Sequence, residues 1–233
     1  MTDRVCLNRS RRDVLLGGAA TLLTLSRPAA RGNEGASISA RQALPELARQ
    51  FLQDLRSPQV DDFLRSWPVA PVRRPVVPST VPVLRWLPSA LARAPVVAEP
   101  LVRGLLEASD VLAWRRSYTS SAVGDHFLDN YGWCELVGLT GERASDQLAC
   151  GCLVLGPDTL YPRHRHEAQE IYVPLSGTAS WGRGEGDWRE AAPGAVIHHM
   201  SGEAHAMRTS LMPLLALYLW RSANLDQKSQ LDP

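Results

Sequence analysis

The chain carries almost no net charge: 25 Lys and Arg stand against 24 Asp and Glu over 233 residues, a formal +1 with an isoelectric point near 7.8. Without a basic stripe it lacks the electrostatic footprint of a nucleic-acid binder. Long apolar runs are missing too, since the stretch GGAATLLTL at 17–25 is too short to cross a bilayer. Cysteine is scarce. Cys6 lies near the start, leaving Cys134, Cys150 and Cys152, which permit one disulfide and one free thiol. Cys150 and Cys152 alternate along one predicted strand, however, and read as buried apolar residues rather than a redox pair.

What is present divides into three parts. Ser10-Arg11-Arg12-Asp13 ahead of the apolar stretch, followed by Ser26-Arg27-Pro28-Ala29-Ala30, reads as a Tat-type signal peptide over residues 1–31. A periplasmic location follows from it; a surface N-terminal helix on a cytoplasmic protein is the alternative. The remaining ~200 residues suffice for one domain with an appendage. Residues 32–120 are predicted as a helical segment that packs on a barrel. Leu44, Leu47, Phe51, Leu52 and Leu55 recur at helical intervals within 38–56, and Val60 to Trp67 adds a helical turn. Pro68, Pro71, Pro75, Pro78 and Pro82 then enforce extended chain. Two more helices are predicted, over Leu84–Ala94 and Pro100–Trp114.

Residues 121–233 change character. Short apolar strands alternate with glycine and proline: CELVGL, LACGCLVLG, EIYVPLSG, TASWG, GAVIHHM, HAMRT and LLALYLW. The pattern predicts a mainly β protein, a jelly-roll barrel with a helical N-terminal portion. Its inward side chains would surround one cavity.

Five of the six histidines fall between residues 164 and 205. His164, His166 and Glu170 stand at the spacing H-x-H-x-x-x-E, and His205 follows a Pro-Gly turn and a strand. On a β-hairpin, residues two apart share a face, so the three side chains converge and His205 offers a fourth ligand. Two histidines on the polar face of an exposed strand would give the same H-x-H, so it is the crowding that argues for a metal. Three imidazoles and a carboxylate suit a divalent Zn, Mn, Fe, Co or Ni ion with room for water or substrate. Tyr172 shares the face of Glu170, where a cation would favour its phenolate, which makes it the candidate general base. Arg163 and Arg165 alternate against the histidines and should point away. His198 and His199 cannot both face inward, and neither is assigned as a ligand.

The two histidine segments resemble the two motifs of the cupin superfamily. The first departs from the pattern by a glycine, Gly156, two residues too far upstream. In the second, Gly202-Glu203-Ala204-His205 keeps G-x-x-H, while Met200 and Ser201 replace the proline turn. The longer strings NYGWCE (130–135), YPRHRHEAQEIYVPLSG, PGAVIHH, HAMRT and PLLALYLW resemble the dimethylsulfoniopropionate (DMSP) lyases, most closely the DddL-like branch, over about residues 125–232. That resemblance implies metal-dependent β-elimination of a small-molecule substrate to dimethyl sulfide and acrylate. It also implies a catalytic tyrosine at Tyr172 and a second pocket tyrosine at Tyr161. A sulfonium is a soft cation that aromatic faces suit, and Tyr131 and Trp133 are the first candidates among Tyr131, Trp133, Trp181, Trp188, Tyr218 and Trp220. The alternatives are a cupin dioxygenase or isomerase acting on another small carboxylate, and a non-catalytic periplasmic metal or ligand binder. No nucleic-acid partner and no membrane span are expected, and a homodimer stays open.

Overall fold

The structure, a computed structural model, describes residues 29–186 and 188–232. The signal predicted over 1–31 lies outside the described residues, apart from the last three, whose backbone opens the first helix. Six helices are described: α1 (Ala29–Asp54), α2 (Pro58–Leu64), α3 (Leu87–Leu91), α4 (Glu99–Glu107), α5 (Ser120–Val123) and α6 (Asp125–Asp129). Leu44, Ala48, Phe51 and Leu52 form the buried stripe of α1, which packs against Leu101, Val102 and Leu105 of α4. The helix predicted over Leu84–Ala94 is split into a 3₁₀ turn (Pro82–Trp86) and α3, because Pro88 has no N–H to continue the ladder. Likewise α4 stops at Glu107. Beyond it, the Trp114 indole N–H donates to Ser109 O at 3.1 Å, and Ser79 and Ala113 form a β-bridge, so the chain turns back while keeping Leu112 and Trp114 buried.

The strands are β1 (Tyr131–Gly138), β2 (Arg143–Ala144), β3 (Leu148–Leu155), β4 (Leu160–Arg165), β5 (Gln169–Ser176), β6 (Ala179–Arg183), β7 (Arg189–Ala191), β8 (Ile197–His199), β9 (His205–Arg208), β10 (Leu214–Arg221) and β11 (Gln230–Leu231). They form two sheets, one in the order β2-β1-β3-β10-β5-β8 and one in the order β11-β4-β9-β6-β7. This is the predicted mainly β jelly-roll architecture. One expectation fails: β4 and β5 are not a hairpin. β4 pairs with β9 and β11, whereas β5 pairs with β10 and β8, so the turn at 166–168 carries the chain from one sheet to the other.

Why the six-stranded sheet is so apolar follows from its two neighbours. Period-two alternation sends Cys150, Cys152 and Val154 of β3, Ile171, Val173 and Leu175 of β5, and Leu215, Leu217 and Leu219 of β10 into a core shared with the helices. The intervening Leu153, Leu155, Tyr172, Leu214, Ala216 and Tyr218 enter a second core inside the barrel. A strand buried on both faces shows no polar alternation, which is why β3 reads as an unbroken apolar run. The three described cysteines are free and buried, as the alternation implied for Cys150 and Cys152. Gly151 is needed for space: a Cβ there would sit 2.0 Å from Cys134 O and 2.6 Å from the Tyr218 hydroxyl. Its absence makes room for the Tyr218 ring beside Gly151.

Candidate metal centre and active site

The crossing from β4 to β5 builds the site. His164 on β4 stands opposite His205 on β9 in the five-stranded sheet, and Glu170 on β5 faces them from the other sheet. His166 leads the connecting turn. One ligand atom from each of His164, His166, Glu170 and His205 lies within 4.8 Å of the others, and all four side chains are buried.

The hydrogen bonds orient these groups. The Nδ1–H of His164 donates to Pro162 O at 2.8 Å, that of His166 to Ala168 O at 2.9 Å, and that of His205 to Glu203 O at 2.8 Å. With Nδ1 committed three times over, Nε2 is the nitrogen each ring turns toward the cluster, the arrangement that metal-ligating histidines adopt, and that of His166 donates to Glu170 Oε2. Glu170 Oε2 lies 3.0 Å from His166 Nε2 and 3.0 Å from His205 Nε2. The His205 contact is not a directed hydrogen bond, so Nε2 is a buried nitrogen without a protein partner. Glu170 Oε1 accepts the Trp220 indole N–H at 2.6 Å, and the Trp220 ring packs 4.2 Å from His166. Three inward Nε2 atoms, one of them without a protein partner, and a carboxylate fit a divalent ion, and the buried His₃Glu group can hold one.

Electrostatics agree with that fit. Burial and the neighbouring His205 push His164 down to about 3, so its imidazole is neutral at neutral pH. Burial alone would raise Glu170, but His166 and His205 hold it well below the ordinary carboxylate range. Tyr172 is pushed well above its ordinary value, first by burial and then by the Glu170 charge.

A cavity of about 370 Å³ opens onto this group, lined by Glu170, Tyr172, Tyr161, Tyr131 and Trp133 among others. Tyr161 stacks on His164 with ring centroids 4.1 Å apart, and its hydroxyl lies 3.1 Å from that of Tyr118 and 3.4 Å from that of Tyr131. The Trp133 indole donates to Ser117 Oγ at 2.9 Å. All the sequence-predicted site residues therefore meet in one place. Of the remaining aromatics, Tyr218 and Trp220 also line the cavity, while Trp181 packs at a tilt against Tyr172 and Trp188 lies under Arg208. Arg165 points away and binds Asp232, as its alternation implied.

Sequence reasoning missed Tyr118, Glu135 and the C-terminal residues Leu225, Gln227, Lys228 and Ser229, which line the cavity or touch its tyrosines. No metal-motif spacing reaches them. Only the inward alternation of Glu135 with Tyr131 and Trp133 gave any signal. His199 is the inward member of the His198-His199 pair: it is buried, opposite Glu170 in register, and stacked on His205 at 4.1 Å.

A two-sheet barrel with a buried His₃Glu group at its inner face defines a cupin-type protein. The family model for dimethylsulfoniopropionate lyases matches residues 56–216. The chain is 34% identical over 165 residues to the dimethylsulfoniopropionate lyase DddQ of Ruegeria pomeroyi, covering 69% of this chain and 76% of that protein. The crystal structure of DddQ from Ruegeria pomeroyi DSS-3 superposes with a TM-score of 0.74 at 31% identity, over 83% of this chain and 96% of that one. A structure reported with the DMSP lyases RdDddP and RnDddQII superposes at 0.77 and 31% identity, over 84% and 100% of the two chains. This chain belongs to the DMSP lyase family, carbon–sulfur lyases that cleave DMSP to dimethyl sulfide and acrylate.

Proposed function

We propose that His164, His166, Glu170 and His205 hold one divalent transition-metal ion, Zn²⁺, Mn²⁺, Fe²⁺, Co²⁺ or Ni²⁺, and that Tyr172 is the general base of DMSP cleavage. Bound there, such an ion supplies Lewis acidity toward the substrate carboxylate. Tyr172 takes the proton from the carbon beside the carboxylate. The electron pair of that C–H bond becomes the carbon–carbon double bond, the bond from the β carbon to sulfur breaks, and dimethyl sulfide leaves neutral with its electrons. What remains is acrylate. Burial and Glu170 keep Tyr172 protonated, so its work as a base depends on positive charge brought close to it.

Tyr161 shares the proton work through its hydroxyl contacts with Tyr118 and Tyr131, the latter 3.0 Å from Ser117 Oγ, a chain that reaches from the cavity toward the exposed Ser117. Tyr131 and Trp133 offer aromatic faces to the sulfonium, each worth about 0.5–2 kcal/mol. The observation that carries the reading is the buried cluster of four ligand atoms, one of which, on Glu170, lines the same cavity as Tyr172 and Tyr161. Elemental analysis of purified protein, then headspace detection of dimethyl sulfide after adding DMSP, tests it. His205→Ala is expected to lower metal content and turnover together. Metal-replete protein that releases no dimethyl sulfide would remove the proposal.

We also propose that the protein is exported folded by the Tat route to the periplasm, on the strength of Arg11-Arg12 and the modest apolar stretch behind them. Among the described residues no helix is long and apolar enough to cross a membrane. Replacing both arginines by lysine is expected to retain the protein in the cytoplasm on cell fractionation; unchanged export would sink this assignment.

A further inference from the structure

The turn that carries His166 has backbone N–H groups with no strand to bind them, because the chain is leaving one sheet for the other. Gln227, about sixty residues downstream, supplies what a strand would have supplied. Its Oε1 accepts the N–H of Glu167 at 2.5 Å and of Ala168 at 3.1 Å. Its Nε2 donates to Asn224 O at 2.6 Å and to Ser222 Oγ at 3.2 Å. All the polar capacity of the side chain facing the protein is thus engaged, and its orientation is fixed from behind.

The consequence reaches the metal group in two steps. Ala168 O accepts the His166 Nδ1–H, so the carbonyl that orients the ring belongs to the peptide segment that Gln227 clamps. The clamp does not act on His166 alone. Beyond Gln227 the chain continues into β11, where Leu231 pairs with His164 and the Asp232 N–H donates to Arg163 O at 2.9 Å. One C-terminal strap therefore ties down both segments of the H-x-H pair, and Gln227 lines the cavity as it does so.

We infer that Gln227 is a positioning residue for the metal centre, holding the 166–168 turn so that the His166 imidazole meets the ion in the right plane. The inference rests on the metal reading above, and its test does not require turnover. Gln227→Met keeps the length of the side chain and removes all four hydrogen bonds. Competition with a chromophoric chelator is expected to give a metal affinity about 10–100-fold weaker than wild type, the usual cost of losing a group that orients a ligand. The visible absorption bands of Co²⁺-loaded protein should shift, while the metal-free variant melts close to metal-free wild type. Asp232→Ala, which releases the far end of the strap from Arg165, serves as the comparison and should hold its affinity within about threefold.

Each outcome decides something. Wild-type affinity and an unchanged cobalt spectrum in Gln227→Met overturn the positioning role. An equal loss in Asp232→Ala also overturns it, since the strap as a whole would then be responsible. A metal-free variant that melts far below metal-free wild type makes Gln227 a fold residue, and the role fails again. Wild-type protein that takes up no divalent ion overturns the metal reading itself and this inference with it.

Discussion

The six-stranded sheet has two buried faces, and they are built for different ends. Toward the helices it presents Cys150, Cys152, Ile171, Val173, Leu217 and Leu219, an oily surface that His198 of β8 meets at its edge, 5.6 Å from the Phe63 ring. Toward the barrel interior the same strands present Glu170, Tyr172, Tyr218 and Trp220. Neighbours along β5 therefore belong to different environments: Glu170 and Tyr172 face inward, Ile171 and Val173 outward. The outer core has only to exclude water. The inner one keeps polar groups buried and aimed, which is costly unless each finds a partner, and His199 and His205 still have nitrogens without one. A one-residue slip of β5 would exchange the two sets, so the helical layer that buries Ile171 and Val173 also fixes the direction of Glu170.

The largest expected effects separate the two faces. Tyr172→Phe removes a hydroxyl and little volume; it is expected to lower kcat by about 10²–10⁴-fold, the range of general acid–base catalysis, with metal content intact. Near-full turnover in that variant would mean another group is the base. One residue away, Ile171→Ala should do the reverse. A buried isoleucine truncated to alanine costs about 2–5 kcal/mol of stability, visible in urea unfolding, whereas the protein that remains folded should keep its metal affinity. If Ile171→Ala loses metal at temperatures where it is folded, the two faces are not independent.

Trp220 sits where the comparison is finest, since its indole N–H fixes Glu170 Oε1 while its ring packs on His166. Trp220→Phe keeps most of the ring and deletes the donor. Metal affinity is expected to fall about 10-fold, less than on removing a ligand outright, and chelator competition measures the difference. Full wild-type affinity would show that Glu170 is held well enough by its strand alone.

The two faces were not equally legible. Cys150 and Cys152 announced the strand alternation, and His164, His166, Glu170 and His205 announced the ion site, because ligand chemistry tolerates few residue types at set spacings. The hairpin was misread because period-two reasoning treats His164 and Glu170 as one strand; nothing local says that the turn at 166–168 changes sheets. Trp220 was visible only as one of six aromatics, since the direction of β10 depends on the helices behind it. Gln227 left no trace at all: a glutamine binding two backbone N–H groups across the chain has no motif. Helical spacing over Leu84–Ala94 outweighs a single proline on paper, whereas in the fold Pro88 marks the break.

The smallest expected effect is a slope. Inside the barrel His164 is pushed down to about 3 and His199 to about 2, in both cases by burial first and by the His205 ring second. Both stay neutral in the folded metal-free protein at pH 5, while in the unfolded chain they titrate near 6.5. The unfolded state therefore binds more protons below about pH 6.5, and stability must fall as pH drops toward 3, by up to about 1.4 kcal/mol per pH unit for each histidine. Glu170 acts in the same direction lower down: its depressed carboxylate gives stability that is present above about pH 4.5 and lost as pH falls. His166 has the opposite sign. Burial pushes it down but Glu170 pulls it up further, so its contribution is complete below about 6.5 and fades as pH rises. Urea unfolding of metal-free protein at pH 7, 6 and 5 should show the decline, and His199→Phe, which keeps a ring on His205, should flatten it by up to one histidine's share. The outer core's thiols cannot mimic this, because burial moves Cys150 and Cys152 upward, whereas His198 beside Phe63 is pushed down by burial and by Arg183 and adds to the slope in the same direction. Stability that is level from pH 7 to 5 would mean that these imidazoles take up protons in the folded state, and the inner core would then be wetter than its burial implies.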